Sequence, residues 1–112
     1  MRLQVKGKNV EVSPAMREYA ERKLSKLAKQ HADQTQVEVE LSEQRNPSIA
    51  DSHVAEGTIF TKGPTLRAKE SSTDMKASID QLVDKLERQV VRYREMRRVE
   101  PRRHAPHAGE QT

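Results

Sequence analysis

The chain has 112 residues, of which 33% are hydrophobic and 34% are charged, with a formal net charge of +4 at pH 7. This length suits one domain with a thin core, so a buried catalytic cleft is not expected. The absence of cysteine excludes disulfides, thiolate metal sites and cysteine nucleophiles. Because no apolar run or N-terminal leader pattern indicates membrane insertion or secretion, we expect a cytoplasmic protein without a membrane partner.

The positive charge is concentrated near the C-terminus. Residues 1–91 contain 15 Lys and Arg against 14 Asp and Glu, whereas residues 92–103 contain six Arg against two Glu. A local basic excess of this kind favours a polyanionic partner.

The first half of the chain predicts a strand, a helix and a second strand. Leu3 and Val5 alternate with polar residues, as in a half-buried strand. Ser13 is a predicted N-cap, and Pro14 follows at the first helical position. The helix then places apolar residues three or four positions apart at Met16, Tyr19, Ala20, Leu24, Leu27 and Ala28. Residues 35–43 alternate again and predict the second strand.

The second half predicts two further strands and a long helix. Residues 53–63 and 64–71 indicate an antiparallel pair joined by a turn at Lys62, Gly63 and Pro64. A Ser/Thr/Asp cluster then precedes a helical pattern that continues to Arg98. Its apolar positions are Met75, Ile79, Leu82, Val83, Leu86, Val90 and Tyr93.

These elements predict an α+β fold of order β-α-β-β-β-α, with a four-stranded mixed sheet and two parallel helices packed on one face. The predicted domain covers residues 1–98. Residues 99–112 contain two prolines, a glycine and few apolar side chains, so we expect a disordered basic tail there.

Both predicted helices carry their bases in one sector of the helical wheel, roughly 220–280° from the first core methionine. The residues in this sector are Arg22, Lys26 and Lys29 on the first helix and Lys85, Arg88 and Arg92 on the second. On parallel helices, two such rows are expected to merge into one basic band. Such a band suits the phosphates of a nucleic-acid backbone, although charged residues also serve simply to solvate helices.

Other kinds of site find little support in the sequence. No paired carboxylates, activated nucleophile or glycine-rich phosphate loop is recognisable, so we expect no enzyme, no cofactor and no small-molecule substrate. His104 and His107 have a metal-compatible spacing but lack further ligands, so no metal site is expected. Phe60 alone does not supply the paired aromatics of a base-stacking sheet.

The helical segments "SPAMREYAERKLSKL" and "TDMKASIDQLVDKLERQV" resemble the hibernation-promoting factor and ribosome-associated inhibitor family over roughly residues 1 to 98. The resemblance implies a protein that binds the small ribosomal subunit in the messenger and transfer RNA channel. It would silence translation reversibly during stress or stationary phase. The ribosomal RNA (rRNA) contacts that it implies are Arg22, Lys23, Lys26, Lys29, Lys85, Arg88 and Arg92. Lys76 departs from the family, which usually has Tyr there.

Two alternatives remain open at the level of sequence. A sheet covered by two helices also describes a general double-stranded RNA-binding module. A protein-interaction module, such as a sigma-factor modulator, could instead use Glu38 and Glu40 on the exposed strand face, or the edge near Phe60. The longer members of the family carry a second, dimerising domain that this sequence does not show, so ribosome dimerisation by that domain is not expected. Away from the ribosome we expect a monomer.

Overall fold

The structure is a computed structural model that describes residues 2–30, 34–44, 46, 48 and 50–103, without the side chains of 28–30, 34–35 and 97–103. The elements occur in the predicted β-α-β-β-β-α order. They are β1 (Arg2–Gly7), α1 (Pro14–Gln30), β2 (Gln34–Glu43), β3 (His53–Thr61), β4 (Thr65–Ser72) and α2 (Met75–Arg103).

The strands form one mixed sheet of order β1-β2-β3-β4. Strand β1 is parallel to β2, whereas β2, β3 and β4 are joined by antiparallel pairs. Helix α1 is therefore the crossover of a β-α-β unit. Helix α1 follows β1 and α2 follows β4, and these two strands point in the same direction. Both helices run back across the sheet, so they are parallel to each other, which confirms the predicted fold.

The core lies between the sheet and the helices, where the apolar periodicity places it. The buried apolar residues include Val37, Val39 and Leu41 of β2, Ala55 and Ile59 of β3, Leu24 and Leu27 of α1, and Ile79, Leu82, Leu86 and Val90 of α2. Each helix begins at a side-chain cap. The Met16 amide donates to the Ser13 hydroxyl at 3.1 Å, and the Ala77 amide donates to the Asp74 carboxylate at 3.1 Å.

Gly57 permits α2 to lie close to the middle of β3. A Cβ atom at this buried position would lie 2.9 Å from Leu86 Cδ1 and 3.2 Å from Leu82 Cδ2. Both distances are shorter than ordinary carbon–carbon contacts. The two leucines therefore pack directly on the glycine backbone, which sets the height of α2 above the sheet.

Ser78 is the buried polar residue of α2 and anchors its first turn to the sheet. Its hydroxyl donates to the His53 carbonyl at 2.6 Å and lies 2.8 Å from the Ser72 hydroxyl. One contact reaches the start of β3 and the other reaches the end of β4. The position of α2 is therefore fixed by hydrogen bonds as well as by apolar packing.

A helical side chain reaches each edge strand. The Arg17 guanidinium of α1 donates a hydrogen bond to the Val5 carbonyl in β1. The Gln89 amide of α2 donates to the Arg67 carbonyl in β4 at 2.7 Å. Each contact occupies a backbone acceptor on a strand that has a sheet neighbour on one side only.

Helix α2 continues to Arg103, five residues beyond the end at Arg98 that the sequence predicts. Its later residues are rich in Arg and Glu, which are good helix formers. The helix extends there even though Pro101, a poor helix former, lies within the extension. Residues 104–112 lie outside the described part, so the division into a domain over 1–98 and a disordered tail over 99–112 stays a prediction. Neither helix, as far as described, has a stretch long and apolar enough to cross a bilayer.

Candidate nucleic-acid interface

The basic row of α1 faces solvent. Arg22 and Lys26 are exposed, as the helical wheel predicts, and the side chain of Lys29 is not described. The Lys26 ammonium group has no ion-pair or hydrogen-bond partner within the described residues. Lys23 differs from this row because it is half-buried at the groove between α1 and α2.

Asp80 joins the two helices at this groove. Its carboxylate accepts a hydrogen bond from the Tyr19 hydroxyl at 2.6 Å and lies 3.3 Å from the Lys23 ammonium group. The hydrogen bond to Asp80 raises the pKa of the Tyr19 phenol, and burial and the negative charge of Asp80 act in the same direction. Lys23 and Arg22 oppose this rise in the pKa. Tyr19 therefore stays protonated as a donor that ties α1 to α2.

Lys76 adds a further cation at the same groove. Its ammonium nitrogen lies 5.3 Å from the centre of the Tyr19 ring, and Lys23 and Arg22 lie at 5.6 Å and 5.7 Å. These distances fall within the range of cation–π attraction. The residue that departs from the family's usual Tyr thus supplies charge beside an existing tyrosine ring.

The basic row of α2 lies on the side of that helix nearer β4. Lys85 forms an ion pair of 3.0 Å with Glu70 of β4. Arg88 and Arg92 are exposed, and their guanidinium groups have no ion-pair or hydrogen-bond partner in the part of the chain that the structure describes. This row therefore presents to solvent two guanidinium groups that no described residue neutralises.

The two rows do not merge into the single band that the sequence analysis expects. Asp80 faces α1, and Asp84 and Glu87 follow it along the same side of α2, at about 100° per residue. This acidic row separates the bases of α1 from those of α2. On parallel helices, side chains at the same angle of the helical wheel point in the same direction. The basic row of α1 therefore lies next to the acidic row of α2, and the basic row of α2 lies beyond it.

The outer face of the sheet has a different charge pattern. Glu38, Glu40 and Glu56 occupy its two central strands, and Glu40 and Glu56 are directly opposite each other. Lys6 on β1 and Arg67 on β4 lie toward the edges. Phe60 also belongs to this face and is half-buried.

Within the described ranges, no group of three or more His, Asp or Glu side chains has a metal-binding arrangement; His104 and His107 lie beyond those ranges.

The sequence did not predict the acids that form ion pairs with two of the lysines. The helical wheel separates Asp80 from the bases of its own helix, but its partner Lys23 belongs to α1. Glu70 precedes Lys85 by fifteen positions and lies on another element. Only a weak signal for this second pair exists in the sequence. Glu70 alternates in phase with Leu66 and Ala68, which places it on the face of β4 that meets α2.

Two parallel helices that display exposed basic rows above a four-stranded sheet define a small α+β domain with a polyanion-compatible helical face. Residues 3–98 match the family model described as "Sigma 54 modulation protein / S30EA ribosomal protein". The chain belongs to this family.

Relatives and solved structures agree with this assignment. The chain is 40% identical over 96 residues to "Ribosome hibernation promotion factor" of Picosynechococcus sp., in a match that covers 85% of this chain and 50% of that protein. It is 35% identical over 95 residues to "Ribosome hibernation promoting factor" of Klebsiella oxytoca, covering 85% and 95%. The chain thus spans about half of one relative and nearly all of the other.

The fold is similar to that of a ribosomal subunit interface protein from Coxiella burnetii, with a TM-score of 0.76 and 26% identity over 85% of this chain and 99% of that one. It is also similar to the N-terminal domain of Thermus thermophilus Protein Y, with a TM-score of 0.70 and 33% identity over 83% and 99%.

Proposed function

We propose that this protein is a cytoplasmic ribosome hibernation factor. It binds the small ribosomal subunit in the messenger and transfer RNA channel and reversibly inhibits translation under stress or in stationary phase. Two of its relatives are named as ribosome hibernation factors, which supports this role. The role requires binding and no chemical step. The observation that carries the proposal is the pair of exposed guanidinium groups of Arg88 and Arg92 on α2, which have no ion-pair or hydrogen-bond partner among the residues that the structure describes.

The proposed contacts are rRNA phosphates bound by Arg22, Lys23, Lys26, Lys29, Lys85, Arg88 and Arg92. Each basic side chain that neutralises a phosphate releases a counterion. The slope of log affinity against log salt concentration then becomes steeper by roughly 0.7–0.9 for each contact. Two basic rows on helices that are themselves fixed to the sheet read the positions of phosphates rather than the identities of bases. The protein can therefore recognise the shape of assembled rRNA without a stacking platform on the sheet.

Co-sedimentation with purified small subunits over a series of salt concentrations tests the proposal. The variant carries Lys85→Gln, Arg88→Gln and Arg92→Gln together. A matched control removes the same charge from the outer sheet face with Lys6→Gln, Arg67→Gln and Lys69→Gln. Circular dichroism verifies that both variants remain folded.

We expect the helix variant to lose affinity and to show a salt slope shallower by roughly 1.5–2.5, since the contacts of Arg88 and Arg92 count in full and that of the ion-paired Lys85 counts only in part. The sheet control should keep the wild-type slope. Equal losses in both variants would reduce the effect to net charge and contradict the proposed interface. Unchanged binding by the helix variant would exclude the α2 row.

The two alternatives give different results in the same assay. A general double-stranded RNA-binding module would be displaced from subunits by an excess of naked duplex, whereas the proposed factor should prefer assembled subunits. The family description also includes sigma 54 modulation, and under that alternative the outer sheet face with Glu38, Glu40 and Phe60 would bind the protein partner. That interaction would depend little on salt and would be sensitive to changes in the sheet face.

A further inference from the structure

Two of the seven proposed rRNA contacts are already occupied by carboxylates of the same chain. Lys23 is paired with Asp80 at 3.3 Å, and Lys85 is paired with Glu70 at 3.0 Å. Each helix thus carries one ion-paired lysine. In contrast, Arg88 and Arg92 have no such partner within the described residues.

We propose that Asp80 and Glu70 are specificity-determining residues that act as built-in counterions for Lys23 and Lys85. In the free protein they hold these two ammonium groups in ion pairs. Phosphates displace the carboxylates only where the RNA presents phosphates at the positions of both lysines. This inference rests on the proposed function, because it assigns a selectivity to the same helical face.

The exposures of the paired side chains suit an exchangeable contact. Lys23 is 37% exposed and Asp80 45%, whereas Lys85 is 47% exposed and Glu70 25%. All four groups remain reachable from solvent, so a phosphate oxygen can approach the ammonium group while water solvates the departing carboxylate. Exposed pairs of this kind are weak, so exchange does not require the domain to unfold.

The same exchange changes the number of ions released on binding. A lysine without a partner that neutralises a phosphate releases about one counterion from the RNA. A paired lysine also leaves a bare carboxylate, which attracts a cation from solution and cancels much of that release. A loosely arranged RNA strand therefore gains little affinity from Lys23 or Lys85, and it binds mainly through side chains such as Arg88 and Arg92, which no described residue pairs.

Binding to poly(U), a flexible single strand with no defined arrangement of phosphates, tests this inference. The variants are Asp80→Asn and Glu70→Gln, separately and together. Both replacements keep an oxygen acceptor, so the contacts of Tyr19 and Lys85 can persist without the negative charge. Asp84→Asn is the matched control because Asp84 is exposed, belongs to the same acidic row and has no ion-pair partner in the described part of the chain.

Each variant should steepen the salt slope on poly(U) by roughly 0.7 and raise the affinity about fivefold at roughly 0.1 M salt. The double variant should show about twice the change in slope, and Asp84→Asn should keep the wild-type slope. Slopes that match wild type in all variants would overturn the inference, as would no binding to poly(U) by any form. An equal effect of Asp84→Asn would also overturn it, since loss of any local acid would then suffice.

Parallel measurements on purified small subunits separate this inference from the proposed function. If wild type binds subunits but the poly(U) slopes are unchanged, only the counterion role fails. If no form binds subunits while the poly(U) slopes steepen as expected, the counterion role stands and the ribosomal function fails.

Discussion

Ser78→Ala tests whether hydrogen bonds as well as apolar contacts fix α2 on the sheet. The Ser78 side chain is 0% exposed, and its hydroxyl donates to the His53 carbonyl at 2.6 Å. The Ser72 hydroxyl lies 2.8 Å from that of Ser78 and 2.7 Å from the Asp74 carbonyl, to which it also donates. The Ser78 proton goes to the His53 carbonyl and the Ser72 proton goes to the Asp74 carbonyl, so the Ser72–Asp74 hydrogen bond can persist when the Ser78 hydroxyl is lost. Ser78→Ala therefore mainly removes the donor to the His53 carbonyl.

Loss of the donor to the partly buried His53 carbonyl costs about 1–3 kcal/mol, and the better helix propensity of Ala returns about 0.5 kcal/mol. We expect Ser78→Ala to lower the free energy of unfolding by about 0.5–2.5 kcal/mol and the Tm by roughly 2–10 °C. Thermal and urea unfolding followed by circular dichroism measure both quantities. Ser25→Ala on α1 is the control, because Ser25 has no side-chain hydrogen bond in the described part of the chain. A Tm for Ser78→Ala equal to that of the control would refute the anchoring role.

Two further predictions concern the packing of the helices. Gly57→Val should lower the free energy of unfolding by about 1–3 kcal/mol, because the new side chain would collide with Leu82 and Leu86; urea unfolding at wild-type stability would contradict the close approach of α2. Tyr19 has a raised pKa in the folded state, so its contribution to stability is present below a pH of about 10 and is lost as the pH rises further. Tyr19→Phe should therefore lose less stability than wild type between neutral and alkaline pH in urea titrations, and equal losses would contradict the proposed donor role.

The periodicity of apolar residues predicted the fold because almost all of the core follows it. Val37, Val39 and Leu41 alternate along one strand, and both helices keep their apolar residues on one side. Burial against the sheet then follows from the pattern alone. The N-cap at Ser13 was predictable for the same reason, because its hydrogen bond spans only three residues.

The charge relations were less accessible because they depend on which side of a helix meets which neighbour. The wheel placed Lys85, Arg88 and Arg92 together, yet it could not show that Lys85 meets Glu70 of β4. Likewise, Ser78 is one polar residue within an apolar sector, and its role depends on a carbonyl twenty-five residues away. Contacts between distant segments leave no periodic signal in the sequence.

The side-chain contacts at the two sheet edges have a consequence for how the protein behaves at high concentration. An unoccupied edge strand is a template on which another chain can add a strand and begin to aggregate. Arg17 blocks one acceptor on β1, and Gln89 blocks one on β4, so an incoming strand must displace a helical side chain at either end of the sheet. Strand addition at either edge therefore competes with a hydrogen bond made inside the domain.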